Sequence, residues 1–289
     1  MEIVKTTFLM CVLMVLFVFV GNLVAGSTGM VVAFVLATAM NFYGYFFSDR
    51  IVLSRYHACR VDERSAKGLC EMVKELCKRA SLPVPQIYIV PDSTPNAFAT
   101  GRNPNHAAVA VTEGLLELLD EREVRAVIAH ELSHVRHYDI LTGSVAAMFA
   151  GAIAILANIA QMGAVFGENR GKNNALVALV AALVMPLVAS VIQLSISRSR
   201  EYAADRGSAL LTQDPEALIS ALSKLENYSK GEVLKNVTPQ TSHMFIINPL
   251  NALSSNISSL FRTHPTTADR IARLREMESG GSLRRYFES

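Results

Sequence analysis

The stretch AHELSHVRHYD, residues 129–139, decides how the rest of the chain is read. His130 and His134 stand one helical turn apart, so on a helix their rings share a face. Glu131 follows His130 by about 100° around the axis. Two imidazoles to hold a zinc ion, with a carboxylate placed to take a proton from its water, make the HExxH arrangement. Directly beyond it begins a long apolar run. A charged, metal-binding helix feeding an apolar segment implies a chain that is part catalytic domain and part membrane.

The composition agrees. The chain has 289 residues, 51% of them hydrophobic, a formal net charge of +2 and a mean hydropathy of +0.30. Apolar content this high and this clustered is foreign to an ordinary soluble enzyme. The near-neutral charge gives no reason to expect a nucleic-acid partner. Two apolar runs, 6–26 and 30–47, are separated only by Ser27, Thr28 and Gly29. No soluble domain follows the first run, which argues against a cleaved signal peptide and for two membrane helices joined by a tight turn. A second pair, 142–166 and 175–194, flanks the polar turn GENRGKNN at 167–174. Pro186 can kink a membrane helix without breaking it. The alternative, a buried hairpin of a soluble fold, stays open for this pair.

Basic residues set the orientation. Arg50, Arg55, Arg60, Arg64 and Lys67 follow the second run and place that segment in the cytoplasm by the positive-inside rule. An even number of crossings returns the remainder to the same side. Arg198, Arg200 and Arg206 agree with this, whereas Arg170 and Lys172 oppose it. The chain thus divides into two transmembrane helices (1–50), a first part of the catalytic domain (51–141), a membrane hairpin that crosses or lies in the bilayer (142–197) and a second part of the catalytic domain (198–289).

Between the membrane pairs, Leu69, Met72, Val73 and Leu76 recur at helical spacing and predict a helix over 60–81. QIYIV (86–90) and AAVAVT (107–112) read as strands, with DSTPNAFATGRNPN (92–105) turn-rich between them. Asp120 and Glu123 form a capping-box pattern, so the HExxH helix starts near Glu121. SISRSREYAADRGSALL continues as helix after the fourth run, and Asp214-Pro215 opens another that runs to about Tyr228. Residues 229–262 read as loop, and THPTTADRIARLREM as a closing helix. Cys11, Cys59, Cys70 and Cys77 form no CxxC pair, so a cysteine zinc site is not expected. They read as reduced fillers, with a Cys70–Cys77 redox switch as the rival.

Zinc needs a third protein ligand. A metzincin would place a histidine six residues after His134, where Ile140 stands, and His137 is too close along the helix. An intramembrane protease would bury its HExxH in an apolar helix and use an aspartate from a DG pair, of which this chain has none. What remains is a glutamate on a separate helix. SRSREYAAD sets Glu201 and Asp205 on one face at i and i+4. His134 lies just before the third apolar run and Glu201 just after the fourth, so a membrane hairpin brings them together. Glu201 then completes the zinc site, and Asp205 accepts from the free ring N–H of a ligating histidine.

The segments NFYGYFFSDRIVL, TPNAFATGRNPNHAAVAVTEGLL, HELSHVRHYD, SRSREYAAD and THPTTADRI together resemble the HtpX-type membrane zinc endopeptidases, relatives of the CAAX prenyl proteases. The resemblance covers nearly the whole chain. It implies a mainly α fold with a small β-sheet: a multi-pass membrane protein carrying a gluzincin-like zinc protease domain. It implies one Zn2+ per chain on His130, His134 and Glu201, with Glu131 as the catalytic carboxylate. It further implies a cytoplasmic catalytic face at the cell membrane, and polypeptide substrates drawn from damaged or misfolded membrane proteins. By the same resemblance Asn96 and the 107–112 strand line the substrate cleft. His264 and Arg270 approach the zinc, His264 to stabilise the oxyanion and Arg270 at the substrate. The plainer alternatives are a helix start at His264-Pro265 and a structural ion pair for Arg270. His137 departs from the family pattern, in which an asparagine often stands. Two other functions remain open: a prenyl-peptide protease, and a non-catalytic scaffold or holdase stabilised by zinc.

Overall fold

The computed structural model describes residues 2–145, 197–231 and 265–279. The turn expected at 167–174, the fourth apolar run, most of the third, and His264 lie outside the described residues.

The first helix, α1 (Glu2–Arg55), is 54 residues long but is not a rod. Gly26 takes φ +60°, a conformation that suits a residue without a Cβ. Asn41 Nδ2 donates to the Met10 carbonyl at 3.3 Å across 31 positions, which an unbroken helix would separate by about 46 Å. The chain therefore doubles back at Gly26 into two antiparallel arms, the tight turn expected between the first two apolar runs. The arms pack closely because Gly21 carries no side chain; a Cβ there would meet Ala33 and the Gly29 carbonyl. The second arm, Gly26–Arg55, is the one helix among the described residues long and apolar enough to cross a bilayer. Val31, Val32, Phe34, Leu36 and Phe42 along it are exposed. The first arm contributes the shorter apolar helix Thr6–Phe19.

Strands β1 (Cys59–Val61), β2 (Gln86–Val90), β3 (Ala97–Asn103) and β4 (His106–Thr112) form one mixed sheet in the order β1-β2-β4-β3. The β2–β4 pair is parallel and the other two are antiparallel. Two expectations need correction. The helix read over 60–81 is shorter: α2 spans Lys67–Ala80, and Asp62 caps a turn before it by accepting from the Arg64 and Ser65 N–H groups. The stretch 92–105 is only partly turn. Its second half is β3, whose small residues fit a half-buried strand, and the turn proper is the 103–106 corner, where Asn103 Oδ1 accepts from the His106 N–H. Gly101, at φ +137°, lies so close to His106 that a Cβ would strike its carbonyl.

After the short α3 (Glu113–Leu118), α4 (Glu121–Arg136) runs through the centre of the domain. It is packed on nearly all sides, so Ala126, Val127, Ile128, Ala129 and Leu132 are fully buried. Its capping box is present: Asp120 accepts from the Glu123 N–H, and Glu123 accepts from the Asp120 N–H. Glu123 also holds Ser220 and Lys224 at 2.6 and 2.7 Å, tying the start of α4 to α6 (Pro215–Gly231). α5 (Arg198–Thr212) lies along α4, and α7 (Thr267–Ser279) closes the bundle with Leu274 in the core. Thr266 caps α7 by accepting from the Asp269 N–H. Helices dominate and the sheet is small.

Candidate metal centre

Gly207 of α5 sits against Ser133 of α4, where any side chain would collide with the serine hydroxyl. Ser208 Oγ donates to the Ala126 carbonyl at 2.6 Å. With the two helices this close and antiparallel, earlier positions on α5 fall opposite later positions on α4. Glu201 and Asp205 thus face His134 and His130. The two Nε2 atoms are 3.2 Å apart, and Glu201 places one oxygen 3.8 Å from His130 Nε2 and the other 3.7 Å from His134 Nε2. One ligand atom from each of the three residues lies within 4.8 Å of the others.

Both rings are braced from behind. His130 Nδ1 is 3.0 Å from Asp205, and Arg270 grips that carboxylate with Nε and Nη2 at 2.8 and 2.6 Å. His134 Nδ1 is 3.0 Å from Asp139, which faces Arg200 at 3.5 Å. A carboxylate only accepts, so each Nδ1 carries the proton, and a ring with no second proton turns an Nε2 lone pair inward. Two lone pairs and a carboxylate thus converge on one point, an arrangement that repels itself unless a cation or a proton sits between. Charge makes the same demand. Among the described residues, Glu131, Asp139, Glu201 and Asp205, when all are ionised, stand against Arg200 and Arg270, an excess of two negative charges in a largely buried site. A divalent cation with a preference for imidazole and carboxylate fits this donor set.

The titrating groups respond to that excess. Burial works against charge on His134, yet Asp139, Glu201 and Glu131 overcome it and lift the ring to about 9. Burial alone would push Asp205 up; Arg270 and His130 reverse this and hold it below its ordinary value. Burial raises Glu131 above the usual carboxylate range, although both histidines pull the other way. Glu131 Oε2 accepts the Ala99 N–H of β3 at 2.9 Å, so the edge strand touches the carboxylate beside the cluster.

Other expected site residues fall differently. The 107–112 strand offers no free edge, because β4 is paired on both sides by β2 and β3. The sheet edge beside Glu131 belongs to β3. Asn96, just before β3, is 2% exposed, with its backbone locked to Thr112. Arg270 is also 2% exposed and stands behind His130 with its guanidinium on Asp205, the ion pair of the plainer alternative. Asp139 and Arg200 are site residues that no motif or spacing marks. The signal is the helix end: His137 caps α4 and Tyr138, at φ +64°, reverses the chain, returning Asp139 beneath His134.

A family model described as Peptidase family M48 matches residues 63–278. The chain is 61% identical over 279 residues to a Protease HtpX homolog of Campylobacter curvus, covering 96% of this chain and 98% of that one. It is 53% identical over 279 residues to a Protease HtpX homolog of Sulfurovum sp., covering 96% and 100%. The chain belongs to peptidase family M48. This M48 chain is a metallopeptidase of HtpX type, and the matched span includes α4 and α5, which supply the histidines and Glu201. Its fold is similar to that of S. mikatae Ste24p, with a TM-score of 0.51 at 18% identity. That likeness covers 94% of the M48 chain and 65% of the Ste24p chain.

Proposed function

We propose that this M48 peptidase is a zinc-dependent endopeptidase held in the cell membrane by several crossings. Its substrates are misfolded or damaged membrane proteins, whose peptide bonds it hydrolyses at the cytoplasmic face. The observation that carries the reading is the convergence of His130, His134 and Glu201 beside Glu131. Those three residues would hold one zinc ion per chain. When bound, zinc supplies a Lewis acid for the peptide carbonyl and lowers the pKa of a water.

The chain's own groups do the rest. Glu131, raised by burial, accepts the water's proton and delivers it to the leaving amine. Asp205 and Asp139 keep the rings in the tautomer that turns Nε2 inward. Arg270 holds Asp205 ionised and in place. β3 offers an edge on which an extended peptide pairs through its backbone, a mode with little demand on side chains that suits varied unfolded segments. His264, six positions before Arg270, supplies the charge for the developing oxyanion. The arms of α1 and the runs 142–166 and 175–194 form the membrane part, with 51–141 and 198–289 in the cytoplasm.

Purified wild type, Glu131→Gln and Glu201→Ala proteins test this by metal content and casein hydrolysis. Glu131→Gln keeps its zinc and loses about 10²–10⁴-fold in rate; Glu201→Ala loses the metal. Wild-type hydrolysis by zinc-loaded Glu131→Gln would overturn the mechanism, and preference for a farnesylated over an unmodified peptide would overturn the substrate class.

A further inference from the structure

On the side of α4 away from the metal centre, α2, α4 and α5 enclose a cleft of about 640 Å³. Its walls carry Arg79, Arg136, His137 and Arg206, and among the described residues no acidic side chain lines it. Arg79 is engaged by Glu75 at 2.8 Å and by the Leu211 carbonyl at 3.1 Å. Arg136 and Arg206 are exposed and, among the described residues, have no ion-pair partner. Two exposed guanidiniums on one cleft concentrate positive charge there, and their planar forks match phosphate oxygens. The floor is apolar, with the part-exposed Leu210 and Leu211. The size falls within the range of clefts that enclose small molecules and far exceeds the needs of a bare ion.

The position of the cleft narrows the choice of ligand. Arg136 and His137 end α4, Tyr138 beside them is exposed, and the apolar run opens at Thr142. Elsewhere in the domain, Arg102 donates to the Phe46 carbonyl of the apolar arm and lies over the Phe46 ring. Side chains of this kind gather where protein meets lipid headgroups.

We infer that this cleft binds the phosphate of an anionic phospholipid, with Arg136 and Arg206 on the phosphate and the leucine floor against the glycerol and acyl portion. The inference rests on the membrane reading of residues 142 onward. Full-length, zinc-loaded protein in a non-ionic detergent is titrated with short-chain phosphatidylglycerol, short-chain phosphatidylcholine or inorganic phosphate while its thermal midpoint is followed. Phosphatidylglycerol raises the midpoint and saturates, as a ligand of the native state does, and the other two do not. Arg136→Gln with Arg206→Gln abolishes the rise, lysine at both positions keeps part of it, and Arg60→Gln with Arg64→Gln, an equal charge change elsewhere, leaves it intact. Zinc content shows that each variant is folded. An undiminished rise in the Arg136/Arg206 glutamine pair, or an equal loss in the Arg60/Arg64 control, would overturn the site. A full rise with inorganic phosphate would replace the lipid by a free anion, and one with phosphatidylcholine would remove the role of charge. Partition of the protein into water without detergent is a separate outcome, and it would overturn the membrane reading itself.

Discussion

Asp139 and Asp205 perform one task on two rings, yet only one of them is visible in the sequence. Asp205 sits one helical turn after Glu201, so its face follows from spacing alone. Asp139 depends on a backbone reversal at Tyr138 that no periodicity reports, and Arg270 reaches Asp205 only through tertiary packing. Removing either carboxylate's charge while keeping its shape, as Asp139→Asn or Asp205→Asn, weakens zinc binding about 10–100-fold; competition with a metal chelator measures it. Cys70 and Cys77 illustrate the reverse case, where a sequence alternative falls on geometry. Seven positions along α2 place them about 10 Å apart, beyond disulfide reach. Burial pushes the Cys77 thiol up to about 11, so the thiolate is scarce at pH 8. In the folded protein at pH 8 a thiol reagent therefore labels exposed Cys59 and spares Cys70 and Cys77, which react after unfolding.

At the scale of elements, the ligand geometry is set by how closely α5 approaches α4. Gly207→Ala puts a methyl group where Ser133 already stands, forcing the helices apart. The cost is about 1–3 kcal/mol. Because Glu201 and Asp205 ride on the displaced helix, zinc content falls with stability; denaturant unfolding and elemental analysis together show it. The helices of the catalytic domain were legible because their apolar faces and caps are local: the capping box of α4 is written in Asp120 and Glu123. Strand β3 was not, because its Pro and Asn flanks read as turn. Its place is fixed instead by pairing with β4 and by Glu131, neither of which is local in sequence.

For the whole molecule, the two arms of α1 return the chain to the side from which it started. Thr6 near the N-terminus bonds Thr142 at the foot of the third apolar run, and Thr100 of β3 bonds Ser144 two residues on. The arms of α1 and the catalytic domain therefore meet at one level. Cysteine substitutions at Ser27 and in 167–174 should be labelled by an impermeant reagent from outside intact cells, and one at Arg64 only after lysis; labelling of all three from one side would overturn the topology.

Arg270 comes from the last described helix and clasps Asp205, which in turn steadies His130. A ribosome that has finished only the HExxH helix has made two histidines with no third ligand, and one that has added α5 still lacks the guanidinium that neutralises Asp205. No copy that stops short of α7 carries the whole arrangement, so the clasp behind His130 is the last of these contacts to be made.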